Sequence, residues 1–161
     1  MIKERSIERL KKGHEYLKKV ISHLNNHQMT KENILNGWTI KDIISHLSAW
    51  NFEQAKAIDD LLAGCKPLWW GLDATEFNRR EIKKRKAWNL EKVIIEWENS
   101  FEEMIKRVDK LSDKEWIHEV CEKEKENLPV NIDSMLSYEY RGEDHEGGHA
   151  KQIEEFFHSR K

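Results

Sequence analysis

The chain is poor in residues that interrupt helices and poor in cysteine. Only 2 proline and 7 glycine residues occur among its 161 residues. This scarcity disfavours a β protein with many turns and favours long helices. The two cysteines, Cys65 and Cys121, are too few for a disulfide framework, and neither belongs to a CxxC pair. We expect both to be free thiols in a reducing cytoplasm.

An excess of charge of either sign is also missing. The 28 lysine and arginine residues nearly balance the 30 aspartate and glutamate residues. We therefore expect no basic surface for binding nucleic acid or a membrane. No apolar run approaches the roughly 20 residues that span a bilayer. The charged first residues do not resemble a signal peptide. We expect a cytoplasmic protein with a single domain over residues 1–161.

The spacing of apolar residues predicts an all-α fold. Apolar positions recur at alternating intervals of three and four, which is typical of helices packed in a bundle. The predicted architecture is a four-helix bundle with one extra short helix between helices two and three. Residues suited to cap helices precede these segments, and residues 119–130 are predicted to form an exposed connection. The five helices are predicted over about 3–25, 40–63, 73–86, 90–111 and 132–157, with caps at Thr39, Asp73, Asn89 and either Asn131 or Asp133.

Three histidines share positions with the apolar residues of these helices. His145 and His149 are four residues apart, so they lie on one helix face. His46 lies on the inward face of the second long helix. Gly147 and Gly148 interrupt the last helix at a cost of about 1 kcal/mol each, and a broken local rule beside polar core residues indicates function. The alternative is that all three are core histidines with hydrogen-bonded partners, the glycines making room for a bulky tryptophan.

Three imidazoles on a rigid scaffold can hold a divalent metal ion and leave coordination positions open. Zinc with a bound water, or nickel, iron or manganese in a facial arrangement, would fit this ligand set. The sequence therefore predicts a metal site at His46, His145 and His149, with zinc or nickel preferred over iron or manganese. An open site of this kind can activate water or polarise a substrate.

Two segments resemble the DinB/YfiT-like superfamily. Residues 37–50, GWTIKDIISHLSAW, resemble its second-helix motif, and residues 145–153, HEGGHAKQI, resemble its last-helix motif. The resemblance implies a four-helix bundle whose three-histidine site, here His46, His145 and His149, binds a divalent metal. Relatives include thiol-dependent transferases and isomerases and proposed metal-dependent hydrolases, and they often form homodimers. This chain departs from the pattern at Gly147 and Gly148, where relatives often carry bulkier residues.

Other residues are weaker candidates. Tyr138, Glu53 and His14 are weak candidates for catalysis, each with a structural alternative in packing or solvation. Asp42 either orients an imidazole or caps its helix. The adjacent Trp69 and Trp70 cannot easily both be buried, so one of them is predicted to line a pocket or a subunit interface.

Two functions of different class follow from this pattern. The first is a metal-dependent enzyme acting on a small molecule, either a hydrolase or a transferase of a low-molecular-weight thiol. The alternative is a non-catalytic, metal-binding bundle with a stress-related or binding role.

Overall fold

The computed structural model describes residues 2–119 and 131–160 of the chain, and these residues form helices and connecting turns. The predicted all-α four-helix bundle with a short helix between its second and third long helices is confirmed. Cys121 and nearly all of the predicted connection 119–130 lie outside the described residues. Cys65 lies within them and is an exposed free thiol. A 3₁₀ helix spans Leu68–Gly71, and the α-helices are α1 (Ile2–Ser22), α2 (Asn26–Thr30), α3 (Ile40–Leu62), α4 (Ala74–Arg85), α5 (Leu90–Asp109), α6 (Asp113–Trp116), α7 (Ile132–Leu136) and α8 (His145–His158).

The bundle consists of the long helices α1, α3, α5 and α8, in which α1 packs mainly on α8 and α3 mainly on α5. The short helix α4 packs on α3. No helix within the described ranges has both the length and the apolar character needed to cross a membrane.

Side-chain caps set the starts of the helices. Thr39 and Asp42 form a capping box at the start of α3, in which each side chain accepts from the other residue's backbone N–H. Asp73 caps α4 and Asn89 caps α5, as the sequence predicts. Of the two predicted alternatives, Asn131 and Asp133, it is Asn131 that caps α7. Gly64 follows the end of α3 with a φ of 74°, the left-handed conformation that glycine adopts most readily.

The predicted fourth helix is wrong in its first half, because a tight turn divides it into α7 and α8. Tyr140 and Glu143 exchange backbone hydrogen bonds of 2.9 and 3.1 Å. Between them Arg141 and Gly142 have φ values of 55° and 82°. Positive φ at both central residues is typical of a type I′ turn and is incompatible with a helix. Tyr138 and Gly142 are therefore not helical seam positions. Helix one also ends earlier than predicted.

Glycines allow close contacts at the start of α8. A Cβ atom on Gly13 of α1 would lie 1.9 Å from Oδ1 of Asp144, the residue that caps α8. A Cβ atom on Gly148 would lie 2.3 Å from the backbone oxygen of Tyr140. These contacts require glycine, because a larger residue would push α8 away from α1 and from the turn. The neighbours of these glycines are thus an aspartate and a tyrosine, and the tryptophan considered in the sequence analysis is not among them.

A buried polar layer separates two apolar clusters along the bundle. One cluster includes Leu10, Ala55 and Phe101, and the other includes Leu17, Leu47 and Trp97. Each long helix contributes a buried polar residue between them, namely His14, Asn51, Ser100 and Glu146. Such groups are stable in a core only when they are hydrogen-bonded to one another.

The buried positions predict the cost of truncating core side chains. Leu10 and Phe101 are 8% and 7% exposed, so Leu10→Ala and Phe101→Ala should each lower the free energy of unfolding by about 2–5 kcal/mol. Ile95→Ala on α5 is the matched control, because Ile95 is 50% exposed and its truncation should cost less than about 1 kcal/mol. Chemical denaturation measures all three. A cost for Leu10→Ala or Phe101→Ala equal to that of the control would contradict the packing described.

Candidate metal centre

The structure brings His46 of α3 together with His145 and His149 of α8. One nitrogen from each imidazole can be chosen so that all three lie within 4.8 Å of one another. Nε2 of His46 and Nε2 of His145 are 3.0 Å apart, and two nitrogens that share one ion at about 2.1 Å are roughly 3.0–3.4 Å apart. Nε2 of His46 and Nε2 of His145 therefore have the spacing of two ligands of one ion, and His149 lies in the same cluster. That they hold a metal stays a prediction.

The protonation state of His46 follows from its neighbour Asn78 on α4. Oδ1 of Asn78 accepts a hydrogen bond of 2.8 Å from Nε1 of Trp50, which can only donate. The same oxygen lies 2.9 Å from Nδ1 of His46, so Nδ1 must carry the proton. Nε2 of His46 is then left with a free lone pair directed into the cluster. Asn78 thus sets the tautomer that a metal ligand needs.

An equivalent arrangement holds His149. Its Nδ1 donates to Oε1 of Gln152, 3.1 Å away and one helical turn later on α8, and this leaves Nε2 as an acceptor. Since Nε2 of His46 carries no proton, the 3.0 Å contact with His145 requires a proton on Nε2 of His145. To bind a metal ion through Nε2, His145 would have to take the other neutral tautomer, with its proton on Nδ1.

Burial keeps these imidazoles neutral. It lowers the pKa of His46 to about 3, with repulsion from His149 as a smaller cause. The pKa of His149 falls to about 4, again mainly through burial, and that of His145 falls well below its ordinary value for the same reason. Neutral imidazoles are the form that binds metal. Near neutral pH, metal binding therefore does not require these histidines to lose a proton first.

Glu146 lies between the two histidines of α8 and is buried in the core. Its Oε2 lies 2.6 Å from Nδ1 of His14 on α1. Its Oε1 accepts from Nδ2 of Asn51 on α3 at 3.0 Å and from Nε1 of Trp97 on α5 at 2.8 Å. One carboxylate thus contacts the other three long helices. These contacts hold α8 in the rotation that points His145 and His149 toward α3.

The weaker sequence candidates lie at different distances from the cluster. Tyr138 is 55% exposed and its ring is 5.5 Å from that of His145. His14 stacks on Phe101 and contacts Glu146, not the three histidines. Glu53 is partly buried, which raises its pKa, and its Oε1 has no hydrogen-bond partner within the described part of the chain.

Two further candidates have structural contacts. Asp42 accepts from the backbone of Thr39 at 3.0 Å and from Nζ of Lys86 at 3.0 Å, so it caps α3. Trp69 and Trp70 are half-buried, stack on each other and pack against the apolar cluster that contains Leu10. Their contacts leave the predicted subunit interface untested.

The residues that contact and orient the histidines were not predicted from the sequence. Asn78 lies on another helix and nothing in its local sequence points to His46. Tyr140, whose ring is 4.7 Å from that of His149, reaches the site through a turn that helical spacing obscured. Gln152 could have been found from its position three residues after His149, since the i, i+3 spacing places both on one helix face.

Comparison with known proteins finds similar structures but no similar sequences. No protein-family profile and no curated protein matches the chain. Among solved structures, a histidine-to-alanine mutant of mycothiol-dependent maleylpyruvate isomerase matches with a TM-score of 0.62 and 17% identity, over 83% of this chain and 54% of that one. The structure of mycothiol-dependent maleylpyruvate isomerase itself matches with a TM-score of 0.61 and 17% identity, over 94% and 57%.

The chain therefore has the same helical fold as these two structures, in agreement with the four-helix bundle predicted from the sequence. It spans little more than half the length of the two matching structures, 54% and 57%. The likeness establishes the arrangement of helices, and the chemistry of the site must be argued from the residues of this chain.

The contacts of Glu146 predict a large effect of its removal. Glu146→Ala should lower the free energy of unfolding by about 3–5 kcal/mol, because His14, Asn51 and Trp97 would lose their shared buried partner. Glu154→Ala on the same helix is the control, since Glu154 is exposed and, among the described residues, is bonded only to Tyr16. It should cost less than about 1 kcal/mol. Urea denaturation compares the two variants. Equal costs would show that the carboxylate does not hold the bundle.

The tautomer argument predicts that Asn78 controls metal affinity. Asn78→Leu should weaken zinc binding about 10–100-fold, whereas Asn78→Asp keeps an acceptor for Nδ1 of His46 and should retain affinity. Trp50→Phe removes the other donor to Asn78 but leaves the bond to His46, so its affinity should stay within about threefold of the original protein. Titration against a competing chelator measures these values, with circular dichroism as a check of folding. A loss in Trp50→Phe as large as in Asn78→Leu would contradict the assignment.

Proposed function

We propose that the protein is a metal-dependent enzyme that acts on a small molecule, with the ion held by His46, His145 and His149. The observation that carries this proposal is the convergence of three neutral imidazoles within 4.8 Å. Two of them are held through Nδ1 by amide side chains. Core histidines that serve only packing do not need to gather their ring nitrogens in one cluster.

The donor set fits a divalent ion. Three nitrogens leave at least one coordination position open, and zinc or nickel suits them best, with iron or manganese as alternatives. Such an ion supplies Lewis acidity and lowers the pKa of a bound water or thiol. The chain's own residues hold and orient the imidazoles and exclude water from their inner side. Tyr138 is the candidate catalytic residue nearest to the cluster, through its contact with His145.

Of the two predicted reactions, transfer of a low-molecular-weight thiol has support from the comparisons. The two matching structures are those of an enzyme whose name describes it as mycothiol-dependent. Hydrolysis at the same ion needs no thiol. Assaying the metal-loaded protein with an electrophile, with and without added thiol, distinguishes the two reactions.

A non-catalytic metal-binding bundle is the second candidate, and the buried network favours it. Glu146 joins all four long helices without any metal, so the ion is not needed to close the core. Of the three weak catalytic candidates, Tyr138 alone has a ring contact with a ligand histidine within the described residues. A protein that stores or senses metal would need no more than this.

The proposed function also includes the partners predicted from the sequence. We propose a small-molecule substrate, no nucleic acid and a homodimer. The half-buried Trp69 and Trp70 are the residues to test for the dimer contact. Sedimentation of the protein with Trp70 replaced by a charged residue tests that contact.

Removing one ligand should separate metal binding from folding. His145→Ala should abolish stoichiometric binding of zinc or nickel yet leave a helical protein, with a loss of stability of no more than about 3 kcal/mol. The reason is that the two apolar clusters and the Glu146 network do not include His145. Metal content by elemental analysis and helicity by circular dichroism measure the two effects.

The control is His23→Ala, an exposed histidine near the end of α1, which should keep both metal and stability. Unfolding of the original protein by a chelator, as happens to zinc fingers, would instead make the ion structural. Full metal content in His145→Ala would remove the basis of the proposal.

A further inference from the structure

A surface groove lies between α4 and the loop that precedes α3, beside the metal centre. It has a volume of about 610 Å³ and is lined by Trp38, Asn78, Arg79, Lys83 and Lys86 among others. Two of these residues contact His46: the ring of Trp38 is 5.2 Å from the imidazole, and Asn78 accepts its Nδ1–H. A molecule in this groove would be separated from a metal ligand by one side chain.

The lining of the groove has cations and no carboxylate. The other grooves that the structure describes on the flanks of α1 have both signs of charge. Lys86 pairs with Asp42 and Arg79 pairs with Glu76. No carboxylate in residues 2–119 or 131–160 pairs with Lys83. Nearby Lys41 has a lowered pKa, mainly through burial; Asp42 acts in the opposite direction, and repulsion by Lys86 and Lys31 lowers it further.

Uncharged hydrogen-bond donors reinforce this charge. Oδ1 of Asn78 is turned toward His46 and Trp50. The two N–H groups of its Nδ2 donate to no acceptor in the part of the chain described. Thr75 adds a hydroxyl group to the same lining. Lys83 and these donors, which have no acceptor in the described residues, are the complement of an oxyanion. The indole of Trp38 offers a face for an apolar or planar group.

We propose that this groove binds an organic oxyanion, a carboxylate or a phosphate attached to an apolar or planar group. Lys83 and Nδ2 of Asn78 contact the anion, and Trp38 contacts the remainder. The inference deepens the proposed function, on which it rests for its role in catalysis, since it assigns acidic substrates or cosubstrates to the enzyme. Binding in the groove itself does not require the ion.

The test uses phthalate, a planar dicarboxylate, and phthalamide, its neutral analogue, with metal-free protein at low salt. Nuclear magnetic resonance follows the side-chain signals of Trp38 and Asn78. Phthalate should shift both signals in a saturable way, and phthalamide should shift them at least about threefold more weakly. Raising the salt concentration should weaken phthalate binding, because exposed charges are screened.

Matched lysine variants locate the anion. Lys83→Gln should weaken phthalate binding by about threefold or more, whereas Lys84→Gln should change it by less than twofold. Lys84 is next in sequence but pairs with Glu81 and lies outside the groove lining. Equal binding of phthalate and phthalamide, equal effects of the two variants, or shifts only at signals outside the groove would each overturn the proposal.

A paramagnetic ion separates this inference from the proposed function. In protein loaded with cobalt, the ring protons of bound phthalate should broaden, because the groove adjoins His46. Saturable phthalate binding in a protein that takes up no cobalt would uphold the groove and overturn the metal site. Cobalt uptake without phthalate binding would uphold the metal site and overturn the groove.

Discussion

The carboxylate of Glu146 is the interaction on which the arrangement of the bundle depends. It accepts hydrogen bonds from Asn51 and Trp97 and contacts His14, so residues of all four long helices meet at one buried group. A buried carboxylate is costly unless its oxygens are paired. Each helix is therefore held in the rotation that presents its donor. Because His145 and His149 flank Glu146, this same constraint directs their imidazoles toward His46, which lies on the same helix as Asn51.

Close packing of α8 supports that constraint. Gly13 and Gly147 let α1 approach the start of α8, and Gly148 lets the turn at Tyr140 fold over it. The two glycines that look unfavourable in a helix are thus explained by contact, while the polar residues beside them form the candidate site. A local cost in helix propensity is offset by tertiary packing, which is common where polar groups are placed precisely.

The candidate metal centre has its own layer of support. Asn78 and Gln152 hold the Nδ1 atoms of His46 and His149 and leave their Nε2 atoms free. Asn78 also faces the cationic groove through its amide nitrogen. A single side chain therefore contacts both the proposed ligand of the ion and the proposed site of an oxyanion. If the protein is an enzyme, a substrate that contacts Asn78 in the groove would therefore affect the hydrogen bond that orients His46.

Local information in the sequence determined the caps of α3, α4 and α5, the inward faces of the long helices and the grouping of His46 with His145 and His149. The caps and the inward faces depend on spacing within one helix, which a sequence displays directly. The grouping of His46 with the other two histidines followed from their shared inward position and from the resemblance of residues 37–50 and 145–153 to a known superfamily. Tertiary structure decided the division of the last helix, where positive φ at Arg141 and Gly142 forms a turn. It also decided the partners of the buried polar groups, since Glu146 meets Asn51 and Trp97 across 95 and 49 residues. Hydrogen bonds between distant segments leave no periodic pattern in the chain, so only the packing of the helices could bring Asn78 to His46.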